Sequence, residues 1–390
     1  MLIDARSIAD GTELDFDLAV VGAGPAGISL VDRLRASGLR ICLLEGGGTD
    51  PDVAAQQLYR GENIGHRYYP LHTCRFRLFG GGSNRWGGWC RPLEPHDFEA
   101  HDWMPGSGWP IGHTELQPFY DDAAQLLGLP GARFDPASWS DRIPAPLPLP
   151  GKDFDNALFL YSPELNFADS YSARIAASEN VTTLLRANVT ELTLAPGGTR
   201  VRAARVRTLG APGSFTVRAR AFVLAAGGIE NARLLLASRG ERPAGLGNEH
   251  DLVGRYFMEH LHVAAGHLLL AAPDAQTDFY RKAAYPGVKA RGVITGTAAA
   301  QARYGLLGAS ISIERASFVY GTPFLGWPPA LTFGPVRAYR GMRRGPAGPL
   351  GEWLKGTSER AWNVGRQIET ALAARAARAR AGPAGAGAGG

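Results

Sequence analysis

Val20-Val21-Gly22-Ala23-Gly24-Pro25-Ala26-Gly27 is the stretch on which the fold turns. The β-branched run Asp17-Leu18-Ala19-Val20-Val21 precedes it, and Ile28, Leu30, Val31 and Leu34 follow at helical spacing up to Gly38. A second strand, Leu39 to Leu44, ends at Glu45. This order predicts a βαβ unit shaped for a dinucleotide. The first glycine permits the tight turn, the second lets the backbone approach a pyrophosphate, and the third brings helix against strand. The helix N-terminus presents N–H groups and the positive end of its dipole to the phosphates. Gly22, Gly24, Ala26 and Gly27 are therefore candidate phosphate contacts. Glu45 lies close to the roughly 20-residue spacing expected of an acid that accepts ribose hydroxyls. An acid rather than an arginine there disfavours a 2′-phosphate, and leaves NAD and FAD both open.

Outward from this unit, Val181 to Leu185, Thr190 to Leu194, Val201 to Leu209 and Phe215 to Ala221 read as a β-meander. It feeds an apolar strand, Ala221 to Ala225, then Ala226-Gly227-Gly228 and a helix from Glu230 to Gly240. A second strand-glycine-helix junction returns the chain to the parallel sheet, so the nucleotide domain is discontinuous, over 15–95 and 180–262. Between the pieces lies a Trp- and Pro-rich insertion or lid, 96–179, with a helix N-capped by Thr114 and stopped at Gly128. Strands such as Val263 to Leu270 and Ala309 to Ile313 predict an antiparallel substrate domain over 263–370, and 371–390 is an Ala/Gly/Pro-rich linker by composition. The fold class expected is α/β, a doubly wound Rossmann-like domain beside an antiparallel sheet.

Phe79-Gly80-Gly81-Gly82-Ser83-Asn84-Arg85-Trp86-Gly87-Gly88 cannot be a packed strand or helix, because its glycines cost conformational entropy and supply no side chains. A surface Ω-loop would explain it. In a chain that binds a dinucleotide, it also suits a flavin ring, with Ser83 and Asn84 as hydrogen-bond partners and Trp86 as a wall. At this point the chain resembles the glucose-methanol-choline oxidoreductases, flavoenzymes that oxidise alcohols, and within them most closely the pyranose-oxidase branch. The matching pieces are the Gly22–Gly27 turn with Leu44-Glu45-Gly46-Gly47, the Gly81–Gly88 loop, Ala225-Ala226-Gly227-Gly228-Ile229-Glu230-Asn231, and Gly254 to His260.

The resemblance implies FAD, with Gly81, Gly82, Ser83, Asn84, Arg85, Trp86, Gly87 and Gly88 along the flavin. Val189 would meet the adenine through its backbone, and Ala226 and Gly227 would close over the phosphates. Pyranose oxidases tether FAD through a histidine, and the matching position here is Arg85, so the implied FAD is non-covalent. The family's catalytic base lies in a C-terminal portion absent from this chain. None of the nine histidines falls in that context, so no catalytic residue is nominated. A missing segment or a partner chain is expected to supply the base. The alternative is a non-catalytic FAD-binding fragment or the subunit of a two-chain enzyme.

Composition bounds these readings. Over 390 residues, 45% are hydrophobic and 20% charged, enough apolar side chain for a large core. The 41 basic and 36 acidic residues leave +5 without a like-charge block, which disfavours nucleic acid, and the arginine bias is that of a GC-rich bacterial gene. Three cysteines without CxxC spacing suit a reducing, cytoplasmic setting and give no zinc site. No apolar run approaches the roughly 18 residues of a membrane span. The expected substrate is a small alcohol, a sugar or glycoside, with Trp103, Trp109 and Tyr120 as candidate stacking groups.

Overall fold

The computed structural model describes residues 1–65, 68–163, 166–260, 262, 268 and 276–313. Along the chain lie β1 (Leu2–Asp4), β2 (Glu13–Val21), α1 (Pro25–Leu34), β3 (Ile41–Leu44), α2 (Val53–Gln57), β4 (Trp89–Cys90) and α3 (His113–Leu126). Then come β5 (Phe154–Tyr161), α4 (Phe167–Ala176), β6 (Val181–Leu185), β7 (Asn188–Leu194), β8 (Val201–Arg207), β9 (Phe215–Leu224) and α5 (Gly228–Ala237). The described part closes with β10 (Ala283–Tyr285), β11 (Val288–Gly296), α6 (Ala298–Tyr304) and β12 (Ser310–Ile311). The chain divides into two units, one of residues 1–50 and 75–319 and one of 51–74 and 320–390. In the described part of the second unit, the Asp52 carboxylate caps α2 by accepting from the N–H groups of Ala54 and Ala55. The Gln56 amide there donates to the His72 carbonyl.

All other elements belong to the first unit, which holds two sheets. The larger runs in the order β1-β6-β3-β2-β9-β8-β7. From β1 to β9 every pairing is parallel, and β9-β8-β7 is antiparallel. Ile41-Cys42-Leu43-Leu44 is buried throughout, because a central parallel strand is covered on both faces. Pro25 at the first helical position supplies a preset φ for α1. Its Ile28 and Val31 pack with Val20, Leu43 and the Phe167, Tyr171 and Ile175 side chains of α4. Each such side chain contributes about 1.5–3 kcal/mol by leaving water. The opposite cluster gathers Val21, Leu44 and Leu184 with Leu192, Ala204, Val206 and Val217 of β7–β9 and Leu234 of α5. One face is thus covered by helices and the other by the meander and α5.

Several expectations change in detail. Val181–Leu185 is no part of the meander, since β6 pairs parallel with both β1 and β3. The segments read as two strands around Ala221 are one, β9, whose start pairs with β8 and whose whole length lies along β2. Helix α3 is N-capped at Gly112 instead of Thr114, because the Glu115 carboxylate reaches back to accept the Gly112 N–H at 2.8 Å. Gly128 follows it at φ +68°, the left-handed stop expected there. Within 96–179, read as an insertion, β5 belongs to the second sheet and α4 packs on α1.

That second sheet runs β10-β11-β5-β4 with β12 beside β11, and all its pairings are antiparallel. Leu158, Leu160, Val288 and Ala290 line one face with Ile143, Phe279 and Tyr280. The strand expected at Ala309 to Ile313 is found as β12. Most of the Val263–Leu270 strand, the remainder of 263–370 outside 276–313, and the 371–390 linker lie outside the described residues.

Gly22 and Gly27 are fixed by contact. A Cβ on Gly27 would lie 2.0 Å from the Gly22 carbonyl oxygen, and one on Gly22, where φ is +105°, would lie 2.6 Å from the Ala225 oxygen. Gly27→Ala is expected to cost about 1–3 kcal/mol, read as a lowered urea midpoint at unchanged slope. An unchanged midpoint would show that the turn tolerates a side chain.

Candidate cofactor site

Three glycine turns converge at the ends of β2 and β9. The Gly80 N–H donates to the Ala23 carbonyl at 2.8 Å. Gly81, at φ +49°, sits so close that a Cβ would meet the Gly24 Cα at 2.8 Å. From β9, the Asn231 side chain of α5 reaches back, accepting the Ala226 N–H and donating to the Leu224 carbonyl. This holds Gly227, the cap of α5, at φ 87° and ψ 158°. The glycines of the site divide into two kinds. Gly22, Gly27 and Gly81 are bare because backbone lies against them, whereas Gly24, Gly82, Gly227 and Gly228 have no protein atom within 4 Å of a built Cβ. The second kind line open space in front of two helix N-termini, whose first N–H groups have no intrahelical acceptor.

Glu45 joins this assembly from beneath. Its carboxylate accepts the Ala23 N–H at 3.0 Å and the Gly47 N–H at 2.8 Å, and the residue is only 6% exposed. Burial raises its pKa above the ordinary carboxylate value, while the two N–H donors and the nearby Arg77 charge pull the other way. Each oxygen keeps a lone pair beyond the one its backbone donor uses, so a ribose diol can still be accepted there.

The Gly81–Asn84 stretch is a 3₁₀ turn. The Ser83 hydroxyl donates to the Gly80 carbonyl and accepts the Phe167 N–H, and the residue is 3% exposed. The Asn84 amide donates to Phe79 and Gly81 and accepts from Asn166. Both side chains, read from sequence as flavin partners, brace the loop against α4. Trp86 lies edge-on to Phe167 at 5.6 Å, and the Arg85 guanidinium sits 5.5 Å from the Phe76 ring centre. Gly87 packs against the Trp89 indole, and the Gly88 carbonyl accepts the Ser162 N–H, which carries the chain into the second sheet. Val189 is buried on β7 beside a register shift.

Residues 17–244 match the family described as FAD dependent oxidoreductase. The chain belongs to that family. It is 29% identical over 294 residues to paromamine 6'-oxidase of Streptomyces fradiae, covering 62% of this chain and 53% of the relative. It is 25% identical over 304 residues to 2-methyl-1,2-propanediol dehydrogenase of Mycolicibacterium austroafricanum, covering 63% and 55%. Pyridoxine 4-oxidase of Mesorbium loti aligns at a TM-score of 0.40 and 25% identity over 57% of this chain and 51% of that one. The match agrees with the FAD-dependent oxidoreductase that the resemblance implied. The chain spans about half the length of the curated relatives it matches.

The donor set fits FAD. The glycine cradle with its open Cβ positions suits a pyrophosphate, and Glu45 suits the adenosine ribose. Sequence reading passed over a charged cluster beside it. Glu230, at the start of α5 and 6% exposed, is bonded by Arg75 at 2.8 Å and Arg233 at 2.7 Å. Arg77 lies 3.9 Å from it and also donates to the Asn188 amide oxygen at 2.7 Å. Burial works to raise the Glu230 carboxyl, but the hydrogen bonds and charges of Arg233 and Arg75 outweigh it and leave the group below its ordinary value. The only sequence signal was Arg75-Phe76-Arg77 just before the glycine loop, muted by an arginine-rich composition.

On the second sheet, the Phe159 and Tyr161 ring centres lie 5.6 and 5.5 Å from that of Trp89. Lys282 lies over Tyr161 and Arg291 over Trp89. Trp103 stacks on His101, Trp109 packs on Phe98, and Tyr120 adjoins His113, so the aromatics nominated from sequence pack within their own segment. His96 meets Gln301 at 2.8 Å, and His260 packs edge-on to His262. Among the described residues no group of His, Cys, Asp and Glu could hold a metal ion, and no helix is long and apolar enough to cross a membrane.

Two outcomes follow from this geometry. Gly24→Ala should leave folding within about 1 kcal/mol of wild type and weaken FAD about tenfold or more, as read by quenching of flavin fluorescence. Equal affinity would show that the cradle does not carry the phosphates. Glu230→Gln should destabilise by about 2 kcal/mol at pH 7. Because the folded pKa is depressed, that contribution is present above the unfolded value near 4.3 and is lost as pH falls through the folded one. The gap between urea titrations of wild type and variant should therefore narrow as pH falls below the unfolded value. A constant gap down to pH 3 would mean that the carboxylate's charge is not what Arg75 and Arg233 stabilise.

Proposed function

We propose that the chain holds FAD without a covalent bond and serves the oxidation of a CH–OH group on a small polyhydroxylated alcohol. The observation that carries this reading is the open cradle at Gly24, Gly227 and Gly228, set between two back-to-back turns in a chain of an FAD-dependent family. In this reading Ala26, Gly27 and Gly228 donate backbone N–H groups to the pyrophosphate, Glu45 accepts from the adenosine ribose, and the Val189 backbone meets the adenine. Gly81, Gly82, Gly87 and Gly88 give the flavin room, and Arg85 and Trp86 stand at its edge. When bound, the flavin supplies the hydride acceptor at N5. Ser83 and Asn84 keep the loop in shape through their own hydrogen bonds.

Non-covalent attachment is supported by Arg85, the residue at the sequence position that the resemblance matches to the tethering histidine of the pyranose-oxidase branch. An alcohol substrate is supported by relatives named for paromamine and for 2-methyl-1,2-propanediol. A ring-bearing substrate such as a sugar or glycoside is supported by Trp89, 44% exposed beside Gly87 and backed by Phe159 and the buried Tyr161, which offers a stacking surface. The base that takes the hydroxyl proton is assigned to none of the described residues, and a further segment or partner chain supplies it in this reading.

Acid precipitation of FAD-loaded protein tests attachment, with all yellow colour expected in the supernatant. Flavin kept in the pellet would sink the non-covalent claim. Sugars, glycosides and simple alcohols are then supplied under a dye acceptor and under oxygen to the protein together with its supplying segment. Bleaching by sugars is expected, and bleaching by simple alcohols alone would remove the sugar reading while keeping the alcohol one.

A further inference from the structure

Arg77 lies at the meeting point of three segments. Its guanidinium rests on Gly46, where a Cβ would come within 2.6 Å of Nη2, and its own carbonyl oxygen would lie 2.2 Å from a Cβ on Gly47. The glycines after Glu45 are bare because Arg77 lies on them. From Nε and Nη2 it donates to the Asn188 amide oxygen at 3.2 and 2.7 Å, while the Asn188 amide nitrogen donates to the Arg186 and Arg207 carbonyls. Nη1 stands 3.9 Å from Glu230, and the Arg77 side chain is about 10% exposed. One planar fork therefore spans the ribose turn, the start of β7 and the start of α5.

We propose that Arg77 is a positioning residue for the adenosine half of a bound dinucleotide, locking Glu45-Gly46-Gly47, Asn188-Val189 and Glu230 into one frame before the ligand arrives. This rests on the FAD reading above and adds a residue to it. The fork fixes where the Val189 backbone stands relative to the Glu45 carboxylate, so adenine and ribose are met at a set spacing. Preorganisation of this kind raises affinity by removing ordering cost from the binding step.

Arg77 also bears on the charge of Glu45. The groups that face this carboxylate are the Ala23 and Gly47 N–H donors and Arg77. Beyond Arg77 stand Glu230 with Arg75 and Arg233, and at the Gly48 end Arg186 with Asp4. A protonated Glu45 has lost an acceptor for the ribose diol, so affinity is present above its pKa and fades as pH falls through it. Removing the Arg77 cation raises that pKa further, and the acid limb of binding moves to higher pH.

The experiment titrates FAD into the full chain, wild type, Arg77→Lys and Arg77→Gln, from pH 5 to 9 by flavin fluorescence, with melting curves for each. Arg77→Gln is expected to weaken FAD at pH 7 about tenfold or more and to move the acid limb upward. Arg77→Lys keeps the cation, so it should hold the wild-type limb while losing affinity through the broken fork. If Arg77→Gln fails to fold, Arg77→Lys still decides. A folded Lys variant with wild-type affinity overturns the proposal, as does a Gln variant whose pH profile superimposes on wild type. Wild-type protein that binds no FAD at any pH overturns the FAD reading and this proposal together, an outcome distinct from either variant result.

Discussion

The carbonyl oxygen of Gly22 occupies the place that a side chain on Gly27 would need, while Ala225 and Ala226 crowd Gly22 from the other side. Two strands can therefore end at backbone contact, and two helices can start within reach of one ligand. Parallel pairing of β2 with β9 brings the junctions into register, Val21 opposite Leu224. The third turn then docks on the first, with Gly81 against Gly24. Each approach excludes a Cβ, and together they leave a small volume bounded by backbone N–H groups.

The first βαβ unit and the second junction were legible because their signals are local. β-branched runs, a helical period and glycine punctuation all lie within about ten residues of one another. The meander was legible in part. Val181–Leu185 has the composition of any buried strand, and nothing local distinguishes a parallel partner of β3 from the first rung of a meander. That Ser83 and Asn84 also brace the loop was not legible for a related reason. Short polar side chains in a turn find their own backbone as readily as a ligand, and the choice was decided by Phe167, 84 positions further on.

Glu45 and Arg77 show what a linear reading loses. The acid at the end of β3 was visible, but its use of both oxygens to hold Ala23 and Gly47 depends on how the two turns face each other. Arg77 was invisible among 41 basic residues. Its partners come from three separate segments, and what distinguishes it is low exposure and that set of partners, neither of which is a property of sequence. The aromatic trio on the second sheet is of the same kind, since Trp89 meets Tyr161 only through strand pairing.

The strand β9 imposes an order on how the chain can be made. β2 begins at Glu13 and its outer partner begins at Phe215, about 200 residues later. At roughly 5–20 residues per second, a ribosome needs about ten seconds or more to deliver β9 after β2 has emerged. Through that interval β2, whose Leu18–Val21 half is buried in the finished protein, waits with one edge open. The acidic residues Glu13, Asp15 and Asp17 along the early half of β2 discourage pairing of that edge with a second copy of the chain.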